Sequence, residues 1–331
     1  MESELFVHFR NLTSREGESF DVFSLADMPH KLGKSAENYP MYFVENNDSS
    51  GMTQNLTMEL LSVQYNLPCT FIDEAGIQHT DERYTVITLR STEQTLQAHF
   101  IDIFYMMLQK LPAIPSRREL SAQIEDLITI FSAITRPPRK KIQGLWSELL
   151  VIERSRFPEI LISAWHSQPA AKYDFTSGRD KIEVKSTSSS ERKHHFSLDQ
   201  LNPSPNSRLL IASVVVRESA QSATGLSVLG LYEKIRNTGI SIQSQLRLYQ
   251  IIADTIGSDF TKLNDVFYDY VEASDTLAFY DARIIPHIRR EDVPEFVSDV
   301  SFTSTIAGLP SLAEEGGMID KSNSQLFNSL I

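Results

Sequence analysis

The amino-acid sequence predicts a mixed α/β (α+β) protein built around a small mixed sheet flanked by helices. Residues 172–187 alternate apolar and polar side chains on both sides of a turn. Residues 208–218 form an apolar run rich in β-branched residues, and several longer segments have apolar residues at helical spacing. A hairpin and a buried strand that alternate with helices are typical of a sheet covered by helices.

The first 136 residues are predicted to form a β-rich unit followed by helices. The segments YPMYFVE, TMELLSVQY and RYTVITLRS, within residues 39–91, have the composition of strands. Apolar residues recur at helical spacing in residues 92–111 and in residues 116–134. The chain then reads Arg136-Pro137-Pro138, and because proline interrupts helices, a domain boundary is predicted after residue 136.

Residues 137–237 are predicted to form the second unit, which holds the mixed sheet. Its predicted elements are a helix (QGLWSELLVIERS), a strand at residues 158–167, the hairpin, a short helix (FSLDQL) and the apolar strand at residues 208–218. The helix carries Glu148 near the edge of its apolar face.

Residues 238–331 are predicted to be a C-terminal region of helices and strands. Helical spacing continues through residues 242–257, after a helix that ends the second unit. Strands are predicted within residues 275–288 and 295–309, and we expect them to rejoin the N-terminal β unit.

The hairpin sets two acidic residues opposite each other. Its turn, Ser177-Gly178-Arg179-Asp180, contains turn-forming residues, and a four-residue or a two-residue loop pairs Asp174 with Glu183 in either case. Like charges directly opposite, with Cβ atoms roughly 4.5 to 5.5 Å apart, are destabilising, so a nearby cation is expected. Two interpretations remain: Lys185 makes an ordinary ion-pair surface, or the carboxylates hold a divalent cation. One side of the hairpin would carry Tyr173, Phe175, Ile182 and Val184 toward a core, and the other would carry Lys172, Asp174, Glu183 and Lys185.

The composition is that of an ordinary globular protein. The chain has 331 residues, 41% hydrophobic and 22% charged, which is enough to bury a full core. Its one cysteine, Cys69, excludes an internal disulfide, and neither a basic start before an apolar run nor an apolar run of about 18 residues is visible. A cytoplasmic protein without a membrane segment is expected.

The net charge of −12 is unevenly distributed along the chain. Residues 136–237 contain 16 Lys and Arg against 10 Asp and Glu, a balance of +6, while the remainder contains 15 against 33, a balance of −18. A local positive region is compatible with contacts to nucleic-acid phosphates, and it is equally compatible with a solvated surface.

The order of these residues and elements resembles the PD-(D/E)XK nuclease superfamily, and more narrowly a bacterial family of PD-(D/E)XK motif proteins found beside restriction and anti-phage genes. The resemblance in the core covers about Gly144 to Glu218, and Lys172-Tyr173-Asp174 stands where the motif name has Pro-Asp. It implies a restriction-endonuclease-like core. The residues that carry it are Glu148 on a helix, Asp174 on a strand, Glu183-Val184-Lys185 on the next strand and Gln200 on the following helix.

The resemblance implies metal-assisted hydrolysis of a phosphodiester. Asp174, Glu183 and the Val184 carbonyl would hold Mg²⁺, for which Mn²⁺ could substitute, and Glu148 would bind a metal-bound water or a second ion. Lys185 would orient the attacking water and neutralise developing charge, and Gln200 would help to hold the lysine or the phosphate.

Several basic residues are predicted to meet DNA phosphates. A second acidic-x-Lys triplet, Glu191-Arg192-Lys193, lies in a serine-rich stretch without a strand pattern, so its cations are predicted to touch phosphate or solvent. The side chains of the adjacent His194 and His195 are expected to point apart, and no Cys or His partner lies at zinc-ligand spacing from them. A zinc site is therefore not predicted. The predicted DNA-contacting residues are Arg179, Lys181, Arg192, Lys193, His194 and His195.

Two classes of function remain open. The first is an Mg²⁺-dependent DNA endonuclease of a restriction or anti-phage defence system, as the resemblance implies. The second is a catalytically silent nuclease-like module that binds DNA or partners as a scaffold or sensor. The expected partners are DNA and other proteins of a defence gene cluster. No P-loop occurs in this chain, so if cleavage needs ATP, a partner ATPase supplies it, and a homodimer is compatible with either function.

Overall fold

The predicted mixture of helices and strands is confirmed in the computed structural model, which describes residues 3–14, 19–26, 28–47, 54–72, 77–166, 171–220, 224–314 and 321–330. The chain divides into two units, Met1–Arg136 and Pro137–Ile331. None of the helices in the described ranges is both long enough and apolar enough to cross a membrane.

The first unit combines a six-stranded sheet with three helices. The sheet order is β1-β2-β3-β6-β5-β4, and β1 also pairs with β5 in parallel, so that five of the strands close into a ring. Its elements are α1 (Glu4–Asn11), β1 (Ser19–Ser24), β2 (Lys31–Lys34), β3 (Pro40–Val44), β4 (Leu56–Thr57), β5 (Leu61–Ile72), β6 (Gln78–Leu89), α2 (Gln94–Leu108) and α3 (Arg117–Ile134).

Local sequence explains where the two long helices of this unit begin. The Glu93 carboxylate accepts hydrogen bonds from the backbone N–H groups of Thr95 and Leu96 in the first turn of α2. Ser116 and Glu119 form a capping box at the start of α3. On β3, the Tyr42 hydroxyl donates to the carbonyl of Ile101 in α2 at 2.7 Å. Helix α2 therefore packs against the sheet, as its apolar spacing predicts.

The second unit holds a four-stranded mixed sheet, and it also contains two smaller sheets. The main sheet has the order β14-β10-β8-β7, and the smaller sheets are β11-β13-β12 and β15-β9. Its elements are α4 (Ile142–Glu153), α5 (Pro158–Ala164), β7 (Phe175–Ser177), β8 (Asp180–Thr187), β9 (Lys193–Ser197), α6 (Leu198–Leu201), β10 (Arg208–Val215), β11 (Glu218–Ser219), β12 (Gly225–Leu226), α7 (Val228–Arg236), α8 (Ile242–Ile256), β13 (Phe267–Asp269), α9 (Tyr270–Thr276), β14 (Ala278–Asp281), β15 (Ser301–Thr305) and α10 (Gln325–Asn328).

The central pair of this sheet is β8 and β10, which run parallel along their full lengths. Strand β10 is buried on both faces, as its continuous apolar run predicts. At the beginning of the two strands, the Asp180 carboxylate accepts hydrogen bonds from Arg208 Nε at 2.6 Å and Nη2 at 2.8 Å. This buried ion pair fixes the register of the pair at that end.

The hairpin has the predicted register. Thr176 lies opposite Lys181, and the turn is the two-residue version, Gly178-Arg179, with Gly178 at a φ of 55°. Because a positive φ costs glycine little, this residue allows the tight connection. The antiparallel ladder begins at Phe175, three residues after Lys172, where the predicted strand begins.

Two sequence predictions about this unit were wrong. Residues 158–164 form helix α5 instead of a strand, because Pro158 suits the first turn of a helix and Leu161, Ile162 and Ala164 are buried on one side of it. The C-terminal strands do not rejoin the N-terminal unit: β14 pairs with β10, and β15 pairs with β9. Apolar alternation predicts a strand but does not identify the strand it pairs with.

Candidate metal and catalytic site

Glu183 and Lys185 project from the same side of strand β8. Lys185 Nζ lies 2.9 Å from Glu183 Oε1 and 5.2 Å from the centre of the Phe196 ring. Both side chains are mostly shielded from solvent. The acidic-x-Lys spacing brings the two groups together because residues two apart on a strand share a face.

Gln200 closes over this pair from helix α6. Its Nε2 donates to Glu183 at 2.5 Å, and its Oε1 accepts from Lys185 Nζ at 3.1 Å and from the Ser197 backbone N–H at 3.1 Å. The last contact is half of a capping box, in which Ser197 also accepts the Gln200 backbone N–H. The start of α6 thus fixes the amide that links Glu183 to Lys185.

Asp174 lies just before β7, at the edge of β8. Its Oδ2 accepts the Val184 backbone N–H at 2.8 Å, where a longer β7 would have continued the ladder. Because the N–H and C=O of one strand residue point to the same side, the Val184 carbonyl also faces the edge where Asp174 lies. Asp174 therefore contacts Val184 through its side chain, and the predicted ladder pair of Asp174 with Glu183 does not form, because the described ladder begins at Phe175.

Tyr173 departs from the predicted arrangement of faces. It packs with Leu209 and Ile211 in one apolar cluster, and Ile211 is the partner of Glu183 in the parallel ladder. Tyr173 therefore lies on the Glu183 side of the sheet and not with Ile182. The regular alternation of a strand does not extend to Tyr173, because the strand begins only at Phe175.

Glu148 lies on α4 with both carboxylate oxygens hydrogen-bonded. Lys140 Nζ donates to its Oε1 at 2.6 Å, and Trp165 Nε1 donates to its Oε2 at 2.7 Å. His166 Nε2 also lies 2.9 Å from Oε2. The same Lys140 ammonium donates to Asp174 Oδ1 at 2.5 Å, so that one lysine joins the two buried carboxylates.

Glu148, His166 and Asp174 form a group of potential metal ligands. One ligand atom from each lies within 4.8 Å of the others, and in the described part of the chain Glu183 lies outside this group. Carboxylate oxygens suit Mg²⁺ and Mn²⁺, and an imidazole nitrogen suits transition-metal ions. The residues fit a divalent cation, since Glu148 and Asp174 together carry two negative charges and share one ammonium.

The electrostatic environment differs among the three carboxyl groups. Burial and the negative charge of Asp174 raise the pKa of Glu183 to about 8, although Lys185 opposes the shift. Burial and the charge of Glu148 raise the pKa of Asp174 as well, against the effect of Lys140. For Glu148, burial alone would raise the pKa, but the hydrogen bond from His166 and the charge of Lys140 outweigh it and lower the pKa.

The predicted DNA-contacting residues fall into two groups. Arg179 at the hairpin turn, Lys193 and His195 are exposed, and Lys181 is partly exposed. The other two, Arg192 and His194, make hydrogen bonds within the protein.

Arg192 has a φ of 46° and donates to Ser213 and to the carbonyl of Thr276. His194 is 3% exposed, and its Nε2 lies 2.8 Å from Ser213 Oγ. The burial of His194 leaves it no surface for a phosphate, because the β9 strand points it into the protein and its neighbour His195 outward.

Sequence reasoning assigned no role at the site to Lys140, Trp165 or His166. Trp165 is fully buried, and its indole N–H binds Glu148. The run Arg139-Lys140-Lys141, just before a helix with a carboxylate near its apolar face, was the available signal for Lys140. His166 gave no comparable signal, because its position depends on helix α5, which was predicted to be a strand.

Comparison with known proteins gives one match. A family model, DUF4420, with the description "Putative PD-(D/E)XK family member", matches residues 25–307. No curated protein and no solved structure matches the chain.

Proposed function

Because the chain belongs to the DUF4420 family, whose description places it among PD-(D/E)XK proteins, we propose that it is a divalent-metal-dependent DNA endonuclease. One observation supports the proposal: Glu183, Lys185 and Gln200 are linked by hydrogen bonds, and Asp174 contacts the same strand at Val184. A nuclease-like fold does not by itself make a protein a nuclease, because activity requires an intact site. The evidence for function is therefore the site and not the fold.

Glu148 and Asp174, which belong to the group of potential ligands with His166, would hold Mg²⁺ or Mn²⁺. The nuclease motif adds Glu183, which lies outside that group, and the Val184 carbonyl. When bound, such an ion lowers the pKa of a water ligand and neutralises charge on a phosphate. Binding would also favour the ionised form of Glu183, whose pKa is raised in the ion-free protein.

Lys185 would stabilise the charge that develops on the phosphate during hydrolysis. Its ammonium is held by Glu183 and Gln200, so its position is set before substrate arrives. A donor that is already oriented needs little reorganisation in the transition state, which is how such groups accelerate reactions. Trp165 and His166 would not contact the substrate themselves and would position the Glu148 carboxylate through hydrogen bonds.

DNA is the proposed substrate on electrostatic grounds. The positive balance of residues 136–237 covers the part of the second unit that carries Asp174, Glu183 and Lys185, whereas the whole unit, Pro137–Ile331, has 21 Lys and Arg against 24 Asp and Glu. Arg179, Lys181, Lys193 and His195 would contact phosphates, and binding would therefore weaken as the salt concentration rises. A role beside other proteins of a restriction or anti-phage system follows from the resemblance and remains a prediction. The cytoplasmic location, expected from the composition, also remains a prediction.

The test uses a matched pair of glutamate variants. Wild type, Glu183→Gln and Glu191→Gln are incubated with supercoiled, linear and phage-modified DNA in Mg²⁺, Mn²⁺, Ca²⁺ or EDTA, alone and with the proteins encoded beside them. Glu191 belongs to the second acidic-x-Lys triplet and forms an exposed ion pair with Lys193. We expect cleavage in Mg²⁺ or Mn²⁺ by wild type and Glu191→Gln, and about 100-fold or more loss in Glu183→Gln.

Full activity of Glu183→Gln would contradict the assignment of the site. Salt-sensitive DNA binding without cleavage on every substrate and partner combination would favour the silent scaffold instead. One observation supports that second candidate: Glu148 and Asp174 are already satisfied by Lys140, Trp165 and the Val184 N–H without an ion. Such a network could also serve only to hold the fold.

A further inference from the structure

The Lys140 ammonium occupies the space between two carboxylates of the ligand group. Its Nζ lies 2.6 Å from Glu148 Oε1 and 2.5 Å from Asp174 Oδ1. A cation that bridges the same two oxygens would have to take this position. We propose that Lys140 is a built-in counter-cation, which holds the ion-free site together and must be displaced before a divalent metal ion binds.

The need for a counter-cation follows from burial. Glu148 and Asp174 are both almost fully buried, and two uncompensated negative charges in that environment would strongly destabilise the fold. Lys140 supplies one positive charge, and its ammonium lies within hydrogen-bonding distance of both carboxylates. It therefore competes with other cations for the same oxygens.

The structure allows Lys140 to leave without unfolding its surroundings. The backbone N–H groups of Arg139 and Lys140 both point to the carbonyl of Thr255, at 2.8 and 3.4 Å, which anchors the main chain next to α8. The Lys140 side chain remains 36% exposed, and a lysine carries its charge on a flexible four-carbon stem. This partial exposure and the flexible stem are what displacement of the ammonium into solvent would require.

The consequence is an exchange of one cation for another. A divalent ion would bind against the competition of Lys140, so its apparent affinity would be lower than the ligands alone provide. This inference rests on the proposed function, because it assumes that the site binds a metal ion. It assigns Lys140 a positioning role in the ion-free state and no part in the chemistry.

The test compares two neighbouring lysines. Lys140→Met keeps an unbranched side chain one atom shorter than lysine and removes its charge. Lys141→Met is the matched control, because the Lys141 side chain is exposed and makes no capping hydrogen bond with α4. Two quantities are measured without any activity assay: the Kd for Mn²⁺ by calorimetry, and the melting temperature of each variant in EDTA and in Mn²⁺.

For Lys140→Met we expect a lower melting temperature in EDTA, recovery of that temperature in Mn²⁺, and Mn²⁺ binding at least about tenfold tighter than wild type. Lys141→Met should match wild type in both measurements. Should Lys140→Met fail to fold without metal, Lys140→Gln keeps a hydrogen-bond donor between the carboxylates, and it should also bind Mn²⁺ more tightly than wild type.

Weaker or equal Mn²⁺ binding by both Lys140 variants, with wild-type binding intact, would overturn the inference and leave the proposed function standing. Failure of every protein, wild type included, to bind Mn²⁺ or Mg²⁺ would overturn both. The two failures are therefore distinguishable in one set of titrations.

Discussion

Replacement of Glu183 by glutamine should change how the stability of the second unit depends on pH. Glu183 is almost fully buried on β8, and burial together with the charge of Asp174 raises its pKa to about 8 from an ordinary value of 4.5. Glutamine keeps the shape of the side chain and cannot titrate. The variant therefore isolates the contribution of this one carboxyl group to the pH dependence.

The direction of the effect follows from proton linkage. Since the pKa is higher in the folded than in the unfolded protein, the folded state keeps a proton that the unfolded chain releases between pH 4.5 and 8. The contribution of Glu183 to the free energy of unfolding therefore decreases as pH rises from 4.5 to 8. One pKa unit corresponds to about 1.36 kcal/mol, so the loss between pH 6 and pH 8 is about 2 kcal/mol.

The measurement is urea denaturation in EDTA, followed by tryptophan fluorescence. The chain has two tryptophans, Trp146 and Trp165, and both lie in the second unit, so the signal reports on the unit that contains Glu183. We expect the free energy of unfolding of wild type to fall by about 2 kcal/mol more than that of Glu183→Gln between pH 6 and pH 8. Glu191→Gln, at an exposed carboxylate, should retain the wild-type dependence.

Equal pH dependence of wild type and Glu183→Gln would refute this reasoning. That result would mean that Glu183 is ionised in the ion-free fold, held by Lys185 strongly enough to overcome both burial and Asp174. A steeper dependence in the variant would point to a different titrating group as the source.

Three further substitutions test the contacts that build the two units. Trp165→Phe removes the indole N–H that binds the helix carboxylate and should lower the free energy of unfolding by about 1 to 3 kcal/mol in urea denaturation; an unchanged value would mean that water replaces the donor. Asp180→Asn breaks the buried ion pair with Arg208 and should cost about 3 to 5 kcal/mol in the same assay, whereas a loss below 1 kcal/mol would contradict its burial. Gly33→Ala would place a Cβ 2.8 Å from the Phe43 ring and should lower the melting temperature seen by circular dichroism, by an amount equivalent to about 1 to 3 kcal/mol; no decrease would show that the ring shifts freely.

The hairpin shows what the sequence could predict. Its register is correct because period-two alternation and a turn with glycine specify both strands and their connection. The start of the first strand was predicted too early, since local alternation cannot show that Asp174 binds the Val184 N–H with its side chain. Tyr173 was consequently placed on the wrong side of the sheet.

The candidate site was only partly visible in the sequence. Glu183 and Lys185 lie two residues apart on one strand, so their proximity follows from strand geometry. Lys140 meets Asp174 across 34 positions of sequence, and no local pattern encodes a contact at that distance. Because the segment of α5 was predicted to be a strand, no sequence pattern indicated that His166 lies beside Glu148.

A charge argument bears on the choice between nuclease and silent scaffold. Three buried carboxylates, those of Glu148, Asp174 and Glu183, share the positive charges of Lys140 and Lys185. Burial and the charge of Asp174 raise the pKa of Glu183 to about 8, because its ionised form is unfavourable in a buried site without further positive charge. A module that only holds a fold has no need of a titratable group at residue 183, since glutamine can accept the same hydrogen bond. A divalent cation would favour the ionised form of Glu183, and a carboxyl group at this position therefore supports the proposed nuclease over the scaffold.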